Sequence, residues 1–156
     1  MLSIGDVVPD SPLVTTDASA TALVSLHAFQ TIVLYFYPKN QTPGCTMEAK
    51  AFRNEYDLFA KNQVLVLGVS ADSIDSHHRF KDKHQLPFHL VADIDKNLCE
   101  QFGVLKMRSF FGKTIPIIQR STFIIHQGVV THAFRAVKLK GHVEAVLEAL
   151  GTQLKR

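Results

Sequence analysis

The residues best suited to chemistry surround Cys45, in the sequence Thr42-Pro-Gly-Cys45. The apolar, β-branched and aromatic run 31–37 precedes them and predicts a buried strand. The intervening loop is broken by prolines and a glycine, and helical spacing then begins, which places Cys45 in the first turn of a helix. There the unpaired backbone N–H groups and the positive end of the helix dipole favour the thiolate, the reactive form of cysteine.

The composition bounds the classes of function that the rest of the chain could serve. The 156 residues suit one domain, 1–156, with a core of its own. The net charge is +3, and the 17 Lys and Arg are scattered, which argues against a nucleic-acid platform. Two cysteines are too few for a disulfide scaffold and indicate a reducing compartment. Met1–Asp6 carries an acid where a signal peptide needs basic residues, and no run is long enough to span a membrane, so we expect a cytoplasmic protein.

The periodicity predicts the order β-α-β-α-β-α-β-β-α after a short N-terminal β extension. The extension would comprise strands at 13–16 and 21–25, whereas 104–116 is predicted to be a loop over one end of the sheet. This order favours the α/β class, with a central mixed sheet flanked by helices and a thioredoxin-like arrangement. Strands are predicted at 31–37, 64–70, 88–92, 121–125 and 129–134, and helices at 43–62, 73–84, 95–103 and 143–150.

The Cys45 segment differs from the Cys-x-x-Cys of thioredoxin-type reductases at its first position. Thr42 stands where those proteins have the first sulfur, so dithiol exchange within the motif is excluded. A threonine hydroxyl would instead exchange a hydrogen bond with a small polar molecule that approaches the thiolate. The alternative is that Thr42 and Pro43 only shape the turn.

The segment Pro38-Lys-Asn-Gln-Thr-Pro-Gly-Cys-Thr-Met-Glu48-Ala resembles the active-site signature of the peroxiredoxins. Among the peroxiredoxins, the chain resembles the subfamily called bacterioferritin comigratory protein or peroxiredoxin Q. The resemblance extends over nearly the whole chain. Further matching segments are Cys99-Glu-Gln-Phe-Gly-Val104, Ser109-Phe-Phe-Gly-Lys113 and Arg120-Ser-Thr-Phe-Ile-Ile125.

The resemblance implies a thiol peroxidase that reduces hydrogen peroxide and organic hydroperoxides without a metal, haem or flavin. By it, Cys45 is the peroxidatic cysteine, Thr42 contacts the peroxide, Pro38 shields the sulfur and Arg120 completes the site. A guanidinium suits this role because it is always charged and presents several donors to an oxygen that leaves with negative charge.

Glu48 lies one helical turn after Cys45, so both side chains can point the same way. An isolated carboxylate there would disfavour the thiolate. We therefore expect Glu48 to pair with Arg120 and to position it.

The second half of a peroxidase cycle is not evident in the sequence. Many proteins of the resembled subfamily carry a resolving cysteine five residues after the first, where this chain has Lys50, and the helix predicted at 73–84 has none. Cys99 is expected to be a buried structural residue. This favours a one-cysteine cycle resolved by thioredoxin, glutaredoxin or glutathione. The alternatives are a two-cysteine cycle through Cys99, or a thioredoxin-like binding or chaperone module with an incidental thiol; we expect a monomer, or at most a weak dimer.

Two other groups of residues have weaker functional interpretations. His77, His78, His84 and His89 lie close together in the sequence but lack a metal-binding spacing, so we expect a solvated helix surface rather than a metal site. Phe110 and Phe111 would line an apolar substrate entrance or serve as packing anchors.

Overall fold

A computed structural model describes residues 1–17 and 31–151 of the chain. These residues form a five-stranded sheet, a separate two-stranded sheet and five helices. The strands are β1 (Thr31–Phe36), β2 (Val64–Ser70), β3 (His89–Ala92), β4 (Leu105–Phe110), β5 (Lys113–Ile118), β6 (Ser121–His126) and β7 (Val129–Phe134). The helices are α1 (Pro43–Asn54), α2 (Tyr56–Lys61), α3 (Ile74–His84), α4 (Asn97–Phe102) and α5 (His142–Leu150).

The large sheet has the order β3-β2-β1-β6-β7, with β1 at its centre. β1 runs parallel to β2 and antiparallel to β6, and Phe36 at its end is opposite both Val69 and Ser121. The carboxyl ends of β1 and β2 therefore meet the beginning of β6 at one edge of the sheet. This register brings Arg120, just before β6, next to the loop that follows β1.

The core lies on both faces of this sheet because successive side chains of β1 point to opposite sides. Val33, Tyr35 and Tyr37 pack against α1, α2, α3 and α5 on one face. Ile32, Leu34 and Phe36 pack against α4 and the N-terminal segment on the other. The central position of β1 therefore explains why its residues are apolar on both faces of the sheet.

The thioredoxin-like fold with a mixed sheet flanked by helices is confirmed, and three local predictions differ from the structure. The helix predicted at 43–62 is divided at Glu55 into α1 and α2. The predicted loop 104–116 is largely the β4–β5 hairpin. In the N-terminal extension, Thr15 forms a single bridge with Val91 rather than part of a strand, and the strand predicted at 21–25 lies outside the described residues.

The missed hairpin has a physical explanation in its turn. Phe111 and Gly112 both have positive φ, at 49° and 78°, as a two-residue hairpin of the I′ type requires. The usual signal for that turn is Asn-Gly or Asp-Gly, and a phenylalanine rarely adopts this conformation. No helix in the described part of the chain is long and apolar enough to cross a membrane.

Candidate active site

Cys45 occupies the third position of α1, and its side chain is buried. The helix begins with Pro43, which is tolerated there because the first N–H groups of a helix have no partner within it. Thr42 precedes the helix in an extended conformation and does not cap it; its hydroxyl donates to the carbonyl of Lys39 over 2.9 Å. The Gly44 and Cys45 N–H groups therefore remain available to a bound oxygen, and the lone pairs of the Thr42 hydroxyl can accept a hydrogen bond.

The Arg120 guanidinium connects Cys45 to Glu48. Its Nη2 donates to Cys45 Sγ over 3.4 Å, and its Nη1 donates to Glu48 Oε1 over 2.6 Å. The two nitrogens of one planar group hold both contacts at once, which a lysine could not reproduce. A fixed positive charge beside the sulfur is available to an oxygen that leaves with negative charge when Cys45 attacks its neighbour.

Glu48 is the more deeply buried partner of this ion pair. Its side chain is 1% exposed against 16% for Arg120, and Oε2 has no hydrogen-bond partner among the described residues. Burial raises the pKa of Glu48 to about 7, while the charge and hydrogen bond of Arg120 act in the opposite direction. The predicted pairing of Glu48 with Arg120 is present in the geometry.

Gly44 has a steric role that the sequence did not reveal. A Cβ atom at this position would lie 3.3 Å from Arg120 Nη2 and 3.4 Å from Leu139 Cδ1. The 3.3 Å distance to Arg120 Nη2 is shorter than an ordinary van der Waals contact of a Cβ atom. Glycine therefore lets Arg120 approach the N-terminus of α1 closely.

A cavity of about 250 Å³ lies beside this ion pair. His142 lines it and is held by a 2.7 Å hydrogen bond between Nε2 and Thr122 Oγ1. Burial, reinforced by the charge of Arg120, lowers the pKa of His142 to about 4, so the imidazole is neutral at pH 7. Local sequence patterns do not mark His142 as a site residue, because only folding brings the start of α5 to α1. The other lining residues are Met47, Glu48, Ala51, Leu139, Lys140 and Val143.

Three other predicted site residues lie apart from this group of contacts. Pro38 is exposed at the end of β1. Phe110 and Phe111 lie at the tip of the β4–β5 hairpin, where Phe111 is fully exposed, and neither lines the cavity beside Glu48. The shielding role of Pro38 and the entrance role of the two phenylalanines stay predictions.

Cys99 is fully buried in α4, on the opposite face of the sheet from Cys45. Asp93 accepts hydrogen bonds from the backbone N–H groups of Leu98 and Cys99, over 3.0 and 2.8 Å, and thus caps α4. Burial, followed by the hydrogen bond and charge of Asp93, raises the pKa of the Cys99 thiol far above its usual value. The neutral thiol is therefore the dominant form.

Of the four histidines predicted to lie on a solvated helix surface, only His78 is exposed. His77 is fully buried, whereas His78 is exposed and His84 and His89 are partly buried. His77 points inward because it lies three residues before Phe80 on the buried face of α3. Within residues 1–17 and 31–151, no three His, Cys, Asp or Glu side chains come together as a metal site.

Comparison with known proteins agrees with this arrangement. A sequence profile of the AhpC/TSA family matches residues 4–133. The chain belongs to the AhpC/TSA family. Within it, peroxiredoxin Bcp of Bacillus subtilis is 43% identical over 150 residues, which cover 96% of this chain and 95% of that protein.

Two solved structures extend the likeness to three dimensions. A peroxiredoxin Q of Xylella fastidiosa superposes with a TM-score of 0.86 at 37% identity, covering 96% of each chain. The bacterioferritin comigratory protein of Xanthomonas campestris, described for its alkyl peroxide reduction activity, has a TM-score of 0.82 at 39% identity, covering 93% of this chain and 97% of its own. The resemblance to the peroxiredoxin Q subfamily is confirmed, and these relatives support thiol-dependent peroxidase activity for this AhpC/TSA protein.

Proposed function

We propose that this peroxiredoxin reduces hydrogen peroxide and organic hydroperoxides through the thiolate of Cys45, in a one-cysteine cycle that an external thiol completes. The observation that carries the proposal is the Arg120 guanidinium, held 3.4 Å from Cys45 Sγ by its ion pair with Glu48. It supplies a fixed charge at the place where a peroxide bond would break.

In the first step, the Cys45 thiolate attacks one oxygen of the peroxide. A sulfur–oxygen bond forms, the oxygen–oxygen bond breaks, and sulfur loses two electrons to give a sulfenic acid. The leaving hydroxide or alkoxide is stabilised by Arg120 and by the free N–H groups of Gly44 and Cys45, and it takes a proton from water. Thr42 accepts the hydrogen bond of the peroxide hydroxyl, and Pro38 limits access of water to the sulfur.

In the second step, an external thiol displaces water from the sulfenic acid and forms a mixed disulfide, which a second thiol reduces. Cys99 is poorly placed to replace that thiol. It packs in the core on the far side of the sheet, and a disulfide needs Cα atoms within about 7 Å of each other. Its suppressed ionisation also leaves little thiolate for attack. We propose thioredoxin, glutaredoxin or glutathione as the reductant.

Organic hydroperoxides are included for two reasons. The Xanthomonas campestris relative is described as reducing alkyl peroxides. In addition, the cavity beside Glu48 has a largely apolar lining that includes Met47, Leu139 and Val143. An alkyl group in this cavity would lie next to the Arg120–Glu48 pair.

The test compares the wild type with Cys45→Ser and Cys99→Ser. Each reduced protein is mixed with one equivalent of hydrogen peroxide or cumene hydroperoxide, quenched with a sulfenate trap and weighed intact by mass spectrometry. We expect rapid single labelling of wild type and Cys99→Ser and none of Cys45→Ser. A Cys45 thiol that reacts no faster than free cysteine would refute the peroxidase and favour a binding or chaperone module.

Steady-state turnover with thioredoxin, glutaredoxin and glutathione in parallel tests the second step. We expect Cys99→Ser to turn over like the wild type with the effective reductant. Loss of turnover in Cys99→Ser, with its first oxidation intact, would establish the two-cysteine cycle instead.

A further inference from the structure

A cluster of buried polar side chains lies behind the loop that carries Thr42 and Cys45. It is built at the carboxyl ends of β1 and β2 and in the first turn of α3, and we call it the Asn40–His77 cluster. Asn40 and His77 are 4% and 0% exposed, so their hydrogen bonds do not compete with bulk water. The members of the cluster are Tyr37, Asn40, Ser70, Asp72, Ser76 and His77.

Asn40 connects the loop to this cluster through its backbone N–H and through both polar atoms of its side-chain amide. Its backbone N–H donates to Asp72 Oδ2 over 2.9 Å. Its Oδ1 accepts from the Tyr37 hydroxyl over 2.6 Å. Its Nδ2 lies 3.1 Å from both Ser76 Oγ and His77 Nδ1. Since Asn40 is two residues before Thr42, these bonds fix the start of the segment that leads to Cys45.

The hydrogen bonds define which nitrogen of His77 carries the proton. An amide Nδ2 is only a donor, so His77 Nδ1 must accept. The proton then lies on Nε2, which donates to Ser70 Oγ over 3.3 Å. The Ser70 hydroxyl in turn donates to Asp72 Oδ2 over 2.5 Å, on the same oxygen that receives the Asn40 N–H. The result is a closed ring of hydrogen bonds that requires a neutral imidazole.

We infer that neutral His77 is a positioning residue for the loop 38–44, and that its protonation disrupts the contact with Asn40 and slows peroxide reduction by Cys45. This inference rests on the proposed function. A proton on Nδ1 would place two donors, Nδ1–H and Asn40 Nδ2–H, 3.1 Å apart. The bond between Asn40 Nδ2 and His77 Nδ1 is then lost, and the amide has to rotate or shift, which also breaks its 2.6 Å bond with the Tyr37 hydroxyl and disturbs the loop.

The surroundings of His77 keep it neutral near pH 7. Burial is the largest influence and lowers the pKa of His77 from its ordinary 6.5. Asp72, from the end of β2, acts in the opposite direction, as do backbone hydrogen bonds with Ser70 and Val91, while neighbouring His78 lowers the pKa further. Tyr37, which directly follows β1 and faces His77, is uncharged because burial raises its pKa well above 10. The disruption is therefore expected only below pH 6.5.

The first experiment measures the rate of Cys45 oxidation by hydrogen peroxide from pH 5 to pH 8. His77→Asn keeps an acceptor near the position of Nδ1 but cannot titrate, whereas His77→Leu removes the acceptor. We expect the ratio of wild type to His77→Asn to be near one at pH 7.5 and to fall as the pH is lowered, by at least fivefold once His77 is protonated; the profile is extended below pH 5 if the His77 ring signals have not changed by then. His77→Leu should be at least fivefold slower than His77→Asn throughout. A wild-type to His77→Asn ratio that is constant with pH would overturn the inference.

Asn40→Asp distinguishes the positioning role of His77 from a role in core packing alone. A carboxylate at this position accepts a hydrogen bond from Nδ1–H, both in protonated His77 and in the neutral Nδ1–H tautomer. The loss of rate on the acid side of the profile should therefore disappear. An acid loss like that of the wild type would contradict the role assigned to His77.

A spectroscopic readout separates failure of this inference from failure of the proposed function. In the wild type, ¹⁵N shifts of the His77 ring should show the Nε2–H tautomer at pH 7.5, and the Asn40 amide signals should change as Nδ1 protonates. If Cys45 fails to react with peroxide while these signals titrate together, the peroxidase proposal fails and the positioning of the loop stands. If the Asn40 signals do not follow His77, the positioning role is wrong whatever the activity.

Discussion

Replacing Glu48 with glutamine removes a buried carboxylate while keeping its volume, and it should change how stability depends on pH. In the wild type, burial raises the pKa of Glu48 from its ordinary 4.5 to about 7, despite the ion pair with Arg120. Between these pH values, folded protein holds a proton that the unfolded chain releases. The favourable contribution of protonated Glu48 is therefore complete below pH 4.5 and is lost as the pH rises toward 7.

The size of the effect follows from the pKa difference. A rise from 4.5 to about 7 corresponds to about 3 kcal/mol of unfolding free energy. Glu48 is almost completely buried, so solvent screens little of this amount. The free energy of unfolding of the wild type, relative to Glu48→Gln, should decrease by about that much between pH 4.5 and 7 and remain constant above pH 7.5.

Urea unfolding of the reduced proteins, followed by far-ultraviolet circular dichroism at intervals of one pH unit, measures this difference. The buried histidines His77 and His142 titrate in both proteins, so their contributions cancel. Glu55→Gln, which changes an exposed carboxylate, is the matched control and should show no such trend. A wild-type advantage that grows with pH would refute the reasoning, because it would mean that attraction to Arg120 outweighs the cost of burying the charge.

Three further substitutions test the site and the core. Gly44→Ala should slow Cys45 oxidation five- to tenfold by displacing Arg120; an unchanged rate in single-turnover measurements would contradict this. Thr42→Val should lower peroxide turnover at least tenfold, and Thr42→Ser, which keeps the hydroxyl bonded to Lys39, should restore most of it. Cys99→Ser should cost about 1 kcal/mol in urea unfolding because a hydroxyl is costlier to bury than a thiol even where Asp93 can accept its hydrogen bond, and a neutral effect would argue against the packing role of Cys99.

Much of this fold follows from local patterns in the sequence. The strands β1 and β2 are apolar on both faces, and the interval between them carries helical spacing, so their order and burial could be predicted. The β4–β5 hairpin could not, because its turn uses Phe111 where a short polar residue is typical, and its strands are mostly exposed and lack a regular alternation. The break at Glu55 has no proline or glycine to mark it.

The sequence by itself determined that Cys45 lies at the start of a helix after a buried strand, because this depends only on neighbouring residues. The contact of Arg120 with Cys45 spans 75 positions and depends on the antiparallel register of β1 and β6. Likewise, the sequence does not distinguish His77 from the other polar residues of its helix, and its contact with Asn40 is formed only in the packed structure. Only the tertiary structure decided these contacts, because they join segments that are distant in the chain and whose spacing carries no local signal.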